Sequence, residues 1–187
     1  MPIVINGTGS VTGITTRLAA AAAPAGSAIQ VLQDTKPDAY AQTSSGSTIY
    51  TITGLEQAIT LSHASNKVLV QVNLNINHSS SGYNGIYWWI NRTTSSSDNI
   101  LHVGDQVGSS RNRGTCSGGI ADERHTLNES AHFLDTPGSV GAHTYNIKWK
   151  DGNADGGSLY INRGRTDSDA TSNTTTISSI TLTEIAV

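Results

Sequence analysis

The segment that decides the fold is KVLVQVNLNIN, residues 67–77. Apolar side chains occupy alternate positions in it, at Val68, Val70, Val72, Leu74 and Ile76. Glutamine and asparagine occupy the positions between them from residue 71 onward. Because successive side chains of a β-strand point to opposite faces, this alternation predicts a strand with one buried face and one solvated face.

Other short runs in the chain have the same character, being rich in β-branched or aromatic residues and separated by Gly, Ser, Asn or Pro. They are STIYTIT (47–53), EQAITLS (56–62), GIYWWIN (85–91), NILHVGD (99–105), SAHFLD (130–135), HTYNIKWK (143–150), SLYINR (158–163) and SSITLTEI (178–185). No stretch after the alanine run at 19–23 shows sustained helical periodicity. About ten short strands of this kind predict an all-β sandwich or barrel.

The length of 187 residues is suited to one domain with an additional arm. Residues 1–23 differ in composition from the rest of the chain. They begin with the apolar run Ile3, Val4 and Ile5, continue through a segment rich in Gly and Thr, and end in five alanines. We predict an extended arm and a short Ala-rich helical linker there, with a disordered terminus as the alternative. Residues 24–187 are predicted to form the β domain.

The charge distribution excludes several classes of partner. Charged residues make up only 13% of the chain, and the formal net charge is -3. Such a chain has no basic stripe of the kind that binds nucleic acid or an anionic membrane surface. No apolar segment is long enough to insert into a bilayer. Cys116 is the single cysteine, so an intrachain disulfide is impossible.

The sequence DGNADG, residues 151–156, matches the beginning of a calcium-binding loop. Position twelve of that loop, however, is Asn162 instead of a bidentate glutamate, and the flanking segments have strand character. We therefore interpret DGNADG as the tip of a β-hairpin between Trp149 and Leu159. If copies of the chain assemble about an axis, as the family resemblance described below implies, the acidic tips of three copies could together hold a cation.

Sequence motifs for catalysis and for cofactor binding are not found. The six histidines lie at no metal-ligand spacing, and the chain has neither a nucleophile elbow nor a phosphate-binding loop. Cys116 has no family signature around it. We therefore predict no enzyme activity, no catalytic residues, no metal site and no cofactor.

Aromatic residues are concentrated between Tyr83 and Trp89, in the string YNGIYWW. Alternation assigns Ile86, Trp88 and Ile90 to the core. It leaves Tyr83, Tyr87 and Trp89 on the other side, where they are candidates for a recognition surface or for a contact with a neighbouring subunit.

Several segments, taken in order, resemble the C-terminal domain of bacteriophage tail-fibre and virion structural proteins, especially those of marine and cyanobacterial phages. They are PAGSAIQVLQDTKPDAY (24–40), SNKVLVQVNLNI (65–76), HFLDTPGSVGAHTYNIKWK (132–150), SLYINR (158–163) and ISSITLTEIAV (177–187). The arm segment VINGTGSVTGITT (4–16) is similar to the β-rich stretch that precedes such domains.

The resemblance implies a jelly-roll-like antiparallel β-sandwich that assembles as a homotrimer in a virion. Ile3, Val4 and Ile5 would then anchor the chain to other virion proteins of the tail or capsid, and the domain would contact a host surface glycan or protein. Because only some 23 residues precede the domain, where a fibre usually has a shaft, a capsid decoration or cement protein is the alternative. A carbohydrate-binding module is the second alternative.

Overall fold

The computed structural model describes residues 23–45, 48–79, 85–118, 122–152 and 157–187. These residues form eleven β-strands and no helix, and all of the strand pairings are antiparallel. The strands are β1 (Ala28–Lys36), β2 (Tyr40–Thr43), β3 (Tyr50–Thr60), β4 (Lys67–His78), β5 (Ile86–Thr93), β6 (Asp98–Leu101), β7 (Cys116–Gly118), β8 (Leu127–Asp135), β9 (Ala142–Asp151), β10 (Ser158–Ile161) and β11 (Ser178–Ile185).

Strand β4 lies at the centre of a six-stranded sheet of order β1-β11-β4-β10-β2, and β8 pairs with the remaining edge of β4. β11 pairs with β4 from Lys67 to Asn73, and β10 pairs with it from Ile76 to His78. Because β8 covers the opposite edge from Val68 to Ile76, β10 and β11 follow one another along a single edge of β4.

Strands β9 and β5 form the centre of a five-stranded sheet of order β3-β9-β5-β6, to which β7 adds through β5. β9 pairs with the whole of β5, from Ile86 to Thr93. The other edge of β5 is divided, since β7 pairs with Ile86–Trp88 and β6 pairs with Ile90–Thr93. The connection between β6 and β7 therefore leaves the sheet beside Trp89.

Side chains from both sheets share one hydrophobic core. The five alternating apolar residues of β4 are at most 3% exposed, and they pack with Ile147 and Trp149 of β9. Ile86, Trp88 and Ile90 of β5 are each 0% exposed. Burial of one such side chain contributes about 1.5–3 kcal/mol. The predicted half-buried strand, the core face of β5 and the all-β sandwich are confirmed.

Strand β3 joins two of the runs that the sequence predicts separately, STIYTIT and EQAITLS. The pairing of β3 with β9 shifts register between Thr51 and Glu56. Gly54 lies within this shift with a φ of 74°, which is a conformation that favours glycine. A bulge at glycine thus allows one strand to continue where the alternation is interrupted.

The hairpin predicted for DGNADG is wrong. Strand β9 belongs to the five-stranded sheet, whereas β10 belongs to the six-stranded sheet, and the two are not paired. The segment after β9 is therefore a crossover between the sheets. Asp151 is the last residue of β9. It is only 1% exposed, because its side chain faces the interior of the sandwich. Residues 153–156 lie outside the described residues.

The predicted arm, with Ile3, Val4 and Ile5, lies outside the described residues, so its boundary at residue 23 stays a prediction. Close to residue 23, Gly26 N donates to Ala186 O at 2.8 Å, and Ala186 N donates to Ser27 O at 2.9 Å. These bonds hold the first residues of the domain beside the last strand. Over the ranges that the structure describes, no helix is long and apolar enough to cross a membrane.

Candidate functional site

A surface cleft lies on the outer face of the five-stranded sheet, where the chain leaves the edge of β5 between β6 and β7. Hydrogen bonds join the two ends of this connecting loop: Thr115 N donates to Trp88 O at 2.9 Å, and Thr115 Oγ1 donates to His102 O at 2.8 Å. Gly104 N donates to Gly114 O at 3.3 Å one step further out. We call residues 103–114 the cleft loop.

Polar side chains fasten the cleft loop to the sheet. Lys150 of β9 donates from Nζ to Asn112 Oδ1 at 2.6 Å, and Asn112 Nδ2 donates to Gly152 O at 3.1 Å. Within the loop, Arg113 Nε donates to Gly104 O at 2.6 Å. The loop is therefore held at both of its ends, at Gly104 and at residues 112–114.

The cleft has a volume of about 440 Å³, within the usual range for small-molecule sites. Its apolar side is formed by Trp89 and Ile100 with Val103, and its polar side by the amides of Gln106 and Asn112 and by three cations. The cations are Arg111, Arg113 and Lys150.

Among the described residues, no carboxylate forms an ion pair with the cations of the cleft, and this includes Asp105 of the cleft loop. Five of the described Lys and Arg side chains form ion pairs, namely Lys36, Arg92, Lys148, Arg163 and Arg165. The cleft cations are not among them. The nearby Lys148 differs, because it pairs with Asp98, and the hydrogen bonds from Lys148 and then Asn91 lower the pKa of that carboxyl group.

A second surface, the outer face of the six-stranded sheet, is almost free of charge. Its side chains align in rows across β1, β11, β4 and β8, as the pairing registers show. The rows are Thr35, Ser179, Asn73 and Ser130; Gln33, Thr181, Gln71 and His132; and Val31, Thr183, Leu69 and Leu134. Val31 and Leu134 are 60% and 46% exposed. We call this surface the neutral face.

A buried Ser, His and Asp lie together between the sheets but are not arranged as a nucleophilic site. Ser44 Oγ donates to Asp151 Oδ2 at 2.9 Å, and His78 Nε2 lies 3.4 Å from the same oxygen. In a catalytic arrangement the hydroxyl bonds to the imidazole and is accessible to substrate. Here the hydroxyl bonds to the carboxylate, and the His78 and Asp151 side chains are both 0% exposed.

Two further buried polar groups connect elements of the fold. Asp135 of β8 accepts from Arg92 Nη1 of β5 and, at 2.7 Å, from Tyr145 Oη of β9, which joins the two sheets. Burial, followed by the bond to Asp135, raises the pKa of Tyr145. Glu184 of β11 is 0% exposed and accepts hydrogen bonds from three residues. We infer that these buried groups stabilise the fold by connecting its strands.

Of the predicted recognition residues, Tyr83 lies outside the described residues. Tyr87 is half-buried and packs close to the backbone of Gly152. Trp89 lines the cleft, but only 4% of its surface is exposed, because the cleft loop covers it. The candidate anchor residues 3–5 are likewise outside the described part of the chain.

The cations of the cleft were not among the residues predicted from the sequence. The available signal was the run RNR at 111–113, which lies in a stretch from 106 to 121 without an acidic residue. A basic run in a chain with so few charges indicates a local anion preference. Lys150 gave no signal, since its position beside Arg111 depends on strand pairing and on the path of the loop.

No group of three or more His, Cys, Asp or Glu residues that could hold a metal ion occurs within the described ranges. Cys116 is half-buried, and burial, followed by the charge of Glu129, raises the pKa of its thiol. A thiol of this kind is a weak nucleophile, because the thiolate is the reactive form.

A comparison with protein-family models found no match, and a comparison with curated protein sequences found none either.

Proposed function

We propose that this chain is a non-enzymatic structural protein of a bacteriophage particle, a trimeric fibre- or knob-type component of a tail appendage. In this proposal the sandwich is a jelly-roll-like domain, and residues 1–23 attach it to other virion proteins. The alternation of successive strands between the two sheets, as at β3, β4 and β5, is typical of that architecture.

The observation that carries the proposal is the neutral face. Protein interfaces are distinguished by a core from which charged residues are depleted. The three rows across β1, β11, β4 and β8 contain no lysine, arginine or carboxylate. Val31 and Leu134 expose apolar surface at the two ends of one row. A face depleted of charge in this way would suit contact with another copy of the chain.

The size of the neutral face suits the core of such an interface. Four strands spaced by about 4.8 Å span roughly 14 Å, and the four residue steps from Ser179 to Thr183 along β11 also span roughly 14 Å. The resulting area of roughly 200 Å² is about a quarter of the roughly 800 Å² that each partner buries in a standard interface, so it can form only the core of the contact. The stoichiometry of three is taken from the resemblance to fibre domains.

The test is the mass of the purified chain in solution, measured by native mass spectrometry and light scattering. We expect a trimer for the wild type and dissociation for Leu69→Lys, which introduces a charge in the apolar row. Ala58→Lys is the matched control, since Ala58 is exposed on the outer face of the other sheet and should leave the trimer intact. A monomeric wild type at high micromolar concentration would refute assembly through this face.

Deletion of residues 1–23 tests the arm separately. We expect the truncated chain to form trimers but not to enter particles, and loss of trimers would instead place the arm in the oligomer core. The number of copies per particle distinguishes the two virion locations. A few trimers indicate a tail fibre, and dozens or hundreds of copies indicate a capsid decoration protein.

A further inference from the structure

We propose that the cleft beside Trp89 binds a carboxylated saccharide, such as a chain of uronic acid residues. This inference gives a ligand class to the host contact in the proposed function and rests on that function for its biological meaning only. Binding itself is a property of the purified chain, whatever its oligomeric state.

The first argument is the concentration of unneutralised positive charge. Besides the cations that form ion pairs, the described residues include Lys67, Arg111, Arg113, Arg124 and Lys150. Three of these five line the one cleft. Like charges at such a site repel one another, so an anion that enters relieves the repulsion as well as forming its own contacts. The concentration is notable in a chain whose net charge is -3.

The second argument is the kind of donor. A guanidinium presents a planar fork of N–H groups that matches a carboxylate. Arg111 is exposed, and its side chain forms no hydrogen bond with any other residue in the described part of the chain. Arg113 is bound to the loop through Nε at 2.6 Å, which orients its guanidinium. Lys150 Nζ is positioned by Asn112 and retains further donors, because an ammonium group has three.

The third argument is the mixed lining, which favours a sugar over a simple anion. Ile100, which is 41% exposed, and Val103 offer apolar contact to the C–H face of a pyranose ring. The amides of Gln106 and Asn112 already form hydrogen bonds within the protein, but each NH₂ group has a second N–H that it can donate to a ring hydroxyl. Trp89, at 4% exposed, completes the apolar side but does not present a ring face for stacking. An inorganic anion has no use for the apolar side, and nucleic acid requires a longer basic stripe.

The experiment is calorimetric titration of the purified chain with a galacturonic acid trisaccharide, at low ionic strength. The matched neutral ligand is the same trisaccharide with its carboxyl groups reduced to alcohols, and inorganic phosphate is the second comparison. We expect saturable binding of the acidic trisaccharide, at least roughly tenfold weaker binding of the neutral one, and weakening as salt is added. We also expect phosphate to bind more weakly than the acidic trisaccharide.

Two variants assign the binding to the cleft. Arg111→Gln should weaken binding of the acidic trisaccharide roughly tenfold, as expected when one charge-assisted contact is lost. Arg124→Gln makes the same charge change at an exposed cation outside the cleft and should have no effect. Ile100→Ser should weaken binding of the trisaccharide and leave phosphate binding unchanged. Circular dichroism verifies that each variant is folded.

Absence of binding by the folded wild type would overturn the inference, and so would an equal loss in Arg111→Gln and Arg124→Gln. Phosphate binding as tight as that of the trisaccharide would reduce the cleft to a simple anion site and would also overturn it. These outcomes are distinct from failure of the proposed function. A chain that is monomeric or absent from particles can still bind the sugar, and a trimeric fibre component can fail to bind it.

Discussion

Replacement of Glu184 by glutamine removes a buried negative charge that has no cation beside it. Glu184 is 0% exposed, and the ion pairs of the described residues do not include it. Its Oε1 accepts from Ser62 N, Ser62 Oγ and Asn66 Nδ2, each at 2.7 Å. Its Oε2 accepts from Gln30 Nε2 at 2.6 Å. The carboxylate thus joins β11, β1 and the turn before β4.

The expected loss of stability follows from these four donors. A glutamine in the same place offers one acceptor oxygen, so one donor faces an NH₂ group and loses its partner. Gln30 cannot reverse its amide without cost, because its Nε2 also donates to Thr60 O at 2.9 Å. The remaining bonds lose the charge that makes such bonds worth about 1.5–3 kcal/mol each. Relief from burying a charge offsets part of this loss, and we expect a net destabilisation of about 1–3 kcal/mol.

The pH dependence provides an independent check. Burial alone would raise the pKa of Glu184, but the hydrogen bonds from Asn66, Ser62 and Gln30 outweigh it and hold the pKa below its ordinary value. A carboxyl group with a lowered folded-state pKa stabilises the fold above its unfolded value of about 4.3. This contribution is lost as the pH falls through the folded value. The wild type therefore loses stability on acidification that Glu184→Gln does not lose.

Urea unfolding at fixed protein concentration measures both effects. We expect the midpoint of Glu184→Gln to lie below that of the wild type at neutral pH and the difference to narrow towards acid. Glu56→Gln, an exposed carboxylate in β3, is the control and should change the free energy of unfolding by less than about 0.5 kcal/mol. Equal stability of wild type and Glu184→Gln at neutral pH, or a difference that does not depend on pH, would refute the reasoning.

The other predictions concern close packing and the bond between the sheets. Gly164→Ala should lower the free energy of unfolding by about 1–3 kcal/mol in a thermal or urea melt, because the added Cβ would lie 2.5 Å from the carbonyl carbon of Arg124. Gly141→Ala is the control and should leave the stability almost unchanged, since its Cβ would meet nothing nearer than 4.0 Å. Asp135→Ala should cost about 3–5 kcal/mol, since it leaves the largely buried Arg92 without its counter-charge, and a loss below about 1 kcal/mol would show that this link is dispensable.

The central strand was predictable because its signal is local. Alternation in KVLVQVNLNIN reports which side chains of β4 face the core, and the same reasoning assigned Ile86, Trp88 and Ile90 correctly. The hairpin at DGNADG failed because turn residues look alike in a hairpin and in a crossover between sheets. The choice between them depends on which strands β9 and β10 pair with, and those partners are distant in the sequence.

The cleft was beyond local reasoning for a similar reason. Alternation placed Trp89 correctly on the outer face of β5, but it could not show that this side chain is buried. The residues that cover Trp89 belong to the cleft loop, which comes later in the sequence. Lys150 reaches the same place only because β9 pairs with β5, where Tyr87 lies opposite it.

By itself, the sequence determined the all-β class and the buried faces of the strands, because side-chain alternation is a property of the extended backbone. Tertiary structure alone decided where the charges meet. Lys150 joins Arg111 and Arg113 only through the long-range pairing of β9 with β5, while Asp98 neutralises Lys148 close by. The neutral face likewise depends on register, since a shift of one residue between β11 and β4 would break its rows.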